Sequence, residues 1–212
     1  MKTYFIIVMS LFLFSCQSAY YAAWEKVGVE KRDILIDRVE DAKDSQQDAQ
    51  KQFSSALEQL SELIKFDGGE LQKAYDLLKD EFEASENAAE NVSDRINKVE
   101  KVAEALFDEW NDELDKYTNA NLRRDSKKRL ANTQQRYKAL LSSMRKAEAK
   151  MPPVLAALRD NVLYLKHNLN ANVIGSLQGE FNGIKSDINQ LIKEMNKAIK
   201  ESTTFIEAMQ TQ

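Results

Sequence analysis

Leu35, Val39, Ala42, Gln46, Ala49, Phe53, Ala56, Leu60 and Leu63 recur at alternating spacings of four and three without a slip. A strand needs period two, so this pattern specifies a long helix with one apolar stripe. Such a stripe must be buried against other helices, as in a coiled coil. Gln46 is the only polar member, and a lone polar seam residue fixes register at some cost in stability. Gly68 or Gly69 then offers the left-handed conformation that closes a helix.

The pattern repeats along the chain. A second seam runs Leu71, Tyr75, Leu78, Phe82, Ser85, Ala89, Val92, Ile96, Val99, Ala103, Leu106, Trp110, and Tyr117-Thr118-Asn119-Ala120-Asn121 offers Asn caps and a turn. A third carries Leu130, Thr133, Tyr137, Leu140, Met144, Ala147 and Met151 up to Pro152-Pro153. Met151 and Pro152 each precede a proline, which disfavours the α region there. The stripe resumes at Leu155, Leu158, Val162, Leu165 and Leu169, shifted by one residue, which predicts a stutter at the prolines. Asn168, Asn170 and Asn172 follow, and a last seam carries Ile174, Leu177, Phe181, Ile184, Ile188, Leu191, Met195, Ala198, Phe205 and Met209.

Six Gly and two Pro in 212 residues are too few for a sandwich or barrel, which needs frequent turns. The expected fold is all-α, a long antiparallel coiled-coil bundle of four helices, the third kinked at Pro152-Pro153. A turn at the Asn cluster gives segments of roughly 42, 48, 48 and 38 residues, rods of about 55–70 Å, whose matched lengths suit an up-down-up-down bundle. A turn at the prolines is the alternative, and it leaves unequal segments of about 29 and 57 residues.

Charge points to the same neighbours. Residues 70–117 hold fifteen acids and six bases, net −9, and residues 122–169 hold twelve bases and three acids, net +9. Opposite charge on consecutive antiparallel helices favours their pairing. Each exposed pair contributes only about 0.2–1 kcal/mol, so charge selects a neighbour more than it holds the fold.

The amino terminus reads as an address. Met1-Lys2-Thr3 is a short positive region, and residues 4–14 are an apolar run. That run is too short to span a bilayer and suits a signal peptide. The only cysteine follows in Leu13-Phe14-Ser15-Cys16, which resembles the bacterial lipobox, with Phe14 in place of the usual small residue. A plain secretory signal and an uncleaved anchor are the competing readings. The resemblance implies cleavage after residue 15, diacylation of Cys16 and effectively permanent anchoring, since two acyl chains already suffice. Gln17 follows where Asp would retain a lipoprotein at the inner membrane, which implies the outer membrane. Residues 16–23 form a lipidated tether, and the bundle occupies 24–212. Tyr20, Tyr21 and Trp24 either sit at the headgroup level or cap the bundle core.

Residues Tyr20-Tyr21-Ala22-Ala23-Trp24-Glu25-Lys26-Val27-Gly28-Val29-Glu30-Lys31-Arg32-Asp33-Ile34-Leu35 resemble the start of a bacterial lipoprotein family, domain of unknown function 2959. Pro153-Val154-Leu155, Arg159-Asp160-Asn161-Val162-Leu163 and Leu165-Lys166-His167-Asn168-Leu169-Asn170-Ala171 resemble its second recurrent segment. The resemblance covers nearly the whole mature chain and implies no activity.

Candidate chemistry is sparse. One Cys excludes an internal disulfide, and one His with that Cys excludes the usual zinc sites. A ferritin-like site needs Glu-x-x-His twice, and Tyr164 stands three before His167. His167 reads as a polar residue near a helix end. Gly175, Gly179 and Gly183 stand four apart as a candidate close-packing face, within the bundle or against a partner. Arg123, Arg124, Lys127, Lys128 and Arg129 form a basic knot, either a solvated end that pairs with the acidic helix or a contact for lipid or polyanion phosphate.

The reading is a non-catalytic outer-membrane lipoprotein, periplasm-facing, acting as an envelope scaffold or protein-interaction module. It needs no cofactor or metal and meets no nucleic acid. Its partners are the membrane, through the anchor, and envelope proteins or a second copy. A membrane-shaping bundle that binds anionic lipid and a periplasmic chaperone-like protein are the rivals.

Overall fold

The computed structural model describes residues 30–65, 71–169 and 172–211. They form five helical segments, α1 (Lys31–Ile64), α2 (Leu71–Leu114), α3 (Ala120–Glu148), α4 (Met151–His167) and α5 (Asn172–Gln210), with no strand among the described residues. The expected seams of α1 and α2 are largely buried: Leu35, Val39, Phe53 and Leu60 of α1 are inaccessible, as are Leu78, Val92, Ile96 and Val99 of α2. Burying a large aliphatic or aromatic side chain contributes about 1.5–3 kcal/mol, which makes the seam the dominant stabilising feature.

The segments make four rods, because α3 and α4 are one rod with a bend. Both lie against α2 on one side and α5 on the other. Partners across to α5 keep one register through the bend. Lys146 bonds Glu194 at 2.8 Å, Lys150 bonds Gln190 at 3.2 Å, and the Tyr164 hydroxyl bonds the Ser176 hydroxyl at 3.2 Å. Each step up α3 and α4 is matched by an equal step down α5. The chain therefore reverses at the Asn cluster and not at the prolines.

The proline segment departs from expectation in two ways. Met151 and Pro152 are helical, with the prolines in the first turn of α4. Their missing N–H groups interrupt the hydrogen-bond ladder, but their fixed φ suits a helix start, so the rod bends without unwinding. Ala149 and Lys150 bridge the break at φ −62°, ψ −14° and φ −85°, ψ −15°, both right-handed helical. The second departure corrects the predicted stutter. The buried stripe continues Met144, Ala147, Met151, Val154, Leu158, Asn161 and Leu165 at unbroken three-four spacing. Val154 takes the core position, Leu155 is half-buried beside it, and Leu169 is exposed.

α2 packs beside the third rod, as its charge predicts. Arg145 of α3 bonds Glu100 and Asn97 of α2 and Glu148 of its own helix. Its guanidinium loses solvation by partial burial, but the bonds to Glu148 and Glu100 more than offset this and raise its pKa. Other seams carry Lys31–Glu109 and Arg95–Asp41 between α1 and α2, each at 2.9 Å. Phe107, Tyr137 and Phe205 meet edge-on from α2, α3 and α5, at centroid separations of 5.3 and 6.4 Å. Burial there, with Glu100 nearby, pushes the Tyr137 phenol up to about 12.

Gln46 is fully buried, and neither of its amide atoms has a partner. Ala42 and Ala49 flank it on the same seam. An unsatisfied buried amide costs about 1–3 kcal/mol. Gln46→Leu should therefore raise Tm by about 2 °C or more, read by thermal circular dichroism; a lower Tm would mean that the amide is satisfied. A double-mutant cycle of Glu100→Gln and Arg145→Gln should give a coupling of about 0.2–1 kcal/mol that shrinks at high salt. Additive losses independent of salt would separate the two rods.

Candidate functional site

The two ends of the bundle differ, and the basic knot marks one of them. At that end α1 begins, with Lys31 on Glu109 and the Arg32 guanidinium donating to the Met209 carbonyl near the end of α5. At the other end the Gln178 amide donates to the Ile64 carbonyl at 2.9 Å, tying the start of α5 to the finish of α1. The sequence upstream of Lys31 therefore enters at the same end as the α2–α3 turn. Cys16, residues 1–15, Tyr20, Tyr21, Trp24 and the Gly68-Gly69 helix stop lie outside the described residues.

Lys31, Arg129 and Met209 meet Glu109, Trp110 and Glu113 around one cleft of about 240 Å³ at the α2–α3 end of the bundle. The Trp110 indole donates to the Ser126 hydroxyl at 2.8 Å and ties the two arms together. Leu114 is buried between them. Asn119 caps α3 as its position predicts, its side chain accepting from the N–H groups of Asn121 at 2.9 Å and Leu122 at 3.3 Å.

The knot residues are all exposed and split by pairing. Arg123 pairs with Asp115 across the turn, and Arg129 pairs with Asp125 one turn back at 2.9 Å. Arg124 bonds only the neutral Asn121 side chain, at 3.0 Å. Lys127 and Lys128 stand without an ion pair among the described residues. The knot is thus partly a paired surface and partly open charge. Two side chains that the periodicity did not single out stand beside it: Leu122, 57% exposed, and Tyr117, 40% exposed. Leu122 lies one residue from the seam position of its turn.

The glycines correct an expectation. Gly175, Gly179 and Gly183 face outward, and a Cβ placed on any of them meets nothing within 4 Å. They do not close-pack inside the bundle, because the α5 seam at Ile174, Leu177 and Ile184 turns that stripe toward solvent. Nearby, a cleft of about 470 Å³ opens between α4 and α5. Asn161 lines it, its amide donating to the Ala157 carbonyl at 2.7 Å while its oxygen is buried without a partner. No seam count flagged Asn161, since Val162 beside it was the apolar choice.

His167 is exposed in the last turn of α4. No group of three metal-ligating side chains occurs among the described residues. No helix among them is long and apolar enough to cross a membrane.

The fold defines an elongated all-α bundle with coiled-coil seams. The chain belongs to the family described as a protein of unknown function (DUF2959), whose model matches residues 20–209. No curated protein and no solved structure matches it.

Because the glycine face touches nothing, replacing it should stabilise the isolated chain. Gly costs up to about 1 kcal/mol relative to Ala inside a helix. The triple variant Gly175→Ala, Gly179→Ala, Gly183→Ala should melt about 4 °C or more above the parent. A loss of stability would reveal a close contact in the free protein.

Proposed function

We propose that the protein is a non-catalytic outer-membrane lipoprotein whose helical rod serves as an envelope scaffold or protein-interaction module on the periplasmic side. The observation that carries this reading is Cys16. It is the only cysteine of the chain, it closes an apolar run of signal-peptide length, and it follows a small residue, Ser15. A position so specific is a poor match to chance in a chain with one cysteine. Attachment through Cys16 would join the bundle to the membrane at the end where Lys31 lies. The third rod would then hold its far end about 70 Å from the near one, at 1.5 Å per residue. That reach suits a spacer or a display arm. The non-catalytic part of the proposal rests on composition, with one His and one Cys.

The membrane-shaping alternative needs a broad basic side wall. Arg145 and Arg123 pair with Glu100 and Asp115 of acidic α2, which turns part of the third rod's basic charge toward a neighbour within the bundle. That pairing supports the scaffold reading instead.

Cys16→Ala should abolish incorporation of radiolabelled palmitate and leave an unprocessed precursor of higher mass. Labelling that persists in this variant would refute the lipoprotein reading. Crosslinking of intact envelopes followed by affinity capture would then identify what the rod contacts.

A further inference from the structure

We propose that the tip of the α2–α3 hairpin is a foot that seats end-on on an anionic phospholipid surface. In this arrangement Arg124, Lys127 and Lys128 meet lipid phosphates, and Leu122 and Tyr117 enter the headgroup layer. The inference rests on the anchoring reading for the side from which the membrane approaches.

Four observations meet at this tip. The first is position. The chain upstream of Lys31 enters at this end, beside the α2–α3 turn. From Cys16 to Lys31 the chain can reach at most about 50 Å, less than the rod length of about 70 Å. A surface holding residue 16 is therefore within reach of the tip end.

The second is charge. Residues 112–129 hold six bases and four acids in a chain of net −4. Asp115 and Asp125 are already matched by Arg123 and Arg129, which leaves Arg124, Lys127 and Lys128 open. The neighbouring rod α2 is strongly acidic, so an anionic surface repels that flank of the bundle.

The third is the helix end. The first two turns of α3 carry Arg123, Arg124, Lys127 and Lys128, where the helix dipole disfavours cations. A phosphate at this end satisfies both the dipole and the side chains. The fourth is apolar exposure. Leu122 is the most exposed large hydrophobic residue described, and Tyr117 is an amphipathic aromatic of the kind found at headgroup depth. A cationic cluster with an apolar insertion beside it is the combination that interfacial membrane contacts use.

The test is hydrogen exchange of the full chain reconstituted into vesicles by detergent removal. One population is phosphatidylcholine alone, and the other includes phosphatidylglycerol. The chain is held on either by its lipid or, if unprocessed, by the 4–14 apolar run, so the readout does not depend on acylation. Backbone amides of residues 117–124 should exchange about tenfold more slowly on the anionic vesicles. That protection should vanish when ionic strength is raised to about 1 M, where screening acts within about 3 Å. It should also vanish in Arg124→Glu/Lys127→Glu/Lys128→Glu, whose fold is checked by circular dichroism. Leu122→Ser should reduce it while leaving the charge intact. Equal exchange on the two vesicle types overturns the foot, and so does protection that spreads along the third rod to Lys166. Palmitate labelling reports the anchor separately, so failure of either claim is distinguishable from failure of the other.

Discussion

The three-four apolar seam carries this structure, and its passage through Pro152-Pro153 is the point on which the rest depends. Met151 and Val154 occupy consecutive core positions on either side of the prolines and are both almost inaccessible. Because register is kept, the third rod runs the full height of the bundle. Its start bears the basic knot, and its finish lies beside the glycine face of α5. Had the chain reversed at the prolines, those two features would have been brought toward one another and the four-rod arrangement lost. Two missing backbone hydrogen bonds cost far less than removing Leu158, Val162 and Leu165 from the core would.

Electrostatics acts on top of this frame. The net charges of −9 and +9 on consecutive rods place α2 beside α3 and α4, and Arg145 makes the contact specific by bonding both rods at once. The ion pairs are at least partly exposed, so they discriminate among neighbours without supplying much of the stability. Gln46 acts in the opposite sense. It is a buried, unpaired amide that weakens the seam.

Much of this was legible in the sequence because heptad periodicity depends on backbone geometry that every helix shares. The seams of α1 and α2 and the Asn119 cap follow directly from spacing and local chemistry, whereas the reversal after His167 was one of two readings that only the register to α5 decides. The stutter did not survive, because Val154 and Leu155 are both apolar and spacing alone cannot choose between adjacent candidates. The glycine face was open to two readings, packing within the bundle or against a partner, for a related reason. Glycine spacing shows that one helix face is bare, but whether anything approaches it depends on how α5 is rotated, and Ile174, Leu177 and Ile184 fix that rotation. The exposure of Leu122 and Tyr117 was invisible for a third reason: it depends on how the α2–α3 turn sits among the assembled rods, a property of no single segment.

The placement of both ends of the bundle depends on the third rod being one unbroken span. Nitroxide labels at Thr118→Cys and Asn168→Cys, placed in a Cys16→Ala background and read by pulsed electron–electron double resonance, measure that span directly. A single bent rod of 48 residues between Ala120 and His167 predicts a separation of about 70 Å, at 1.5 Å per residue. A distance below about 40 Å, the value for a chain that folds back at Pro152-Pro153, would contradict the register through the prolines and with it the placement of both ends.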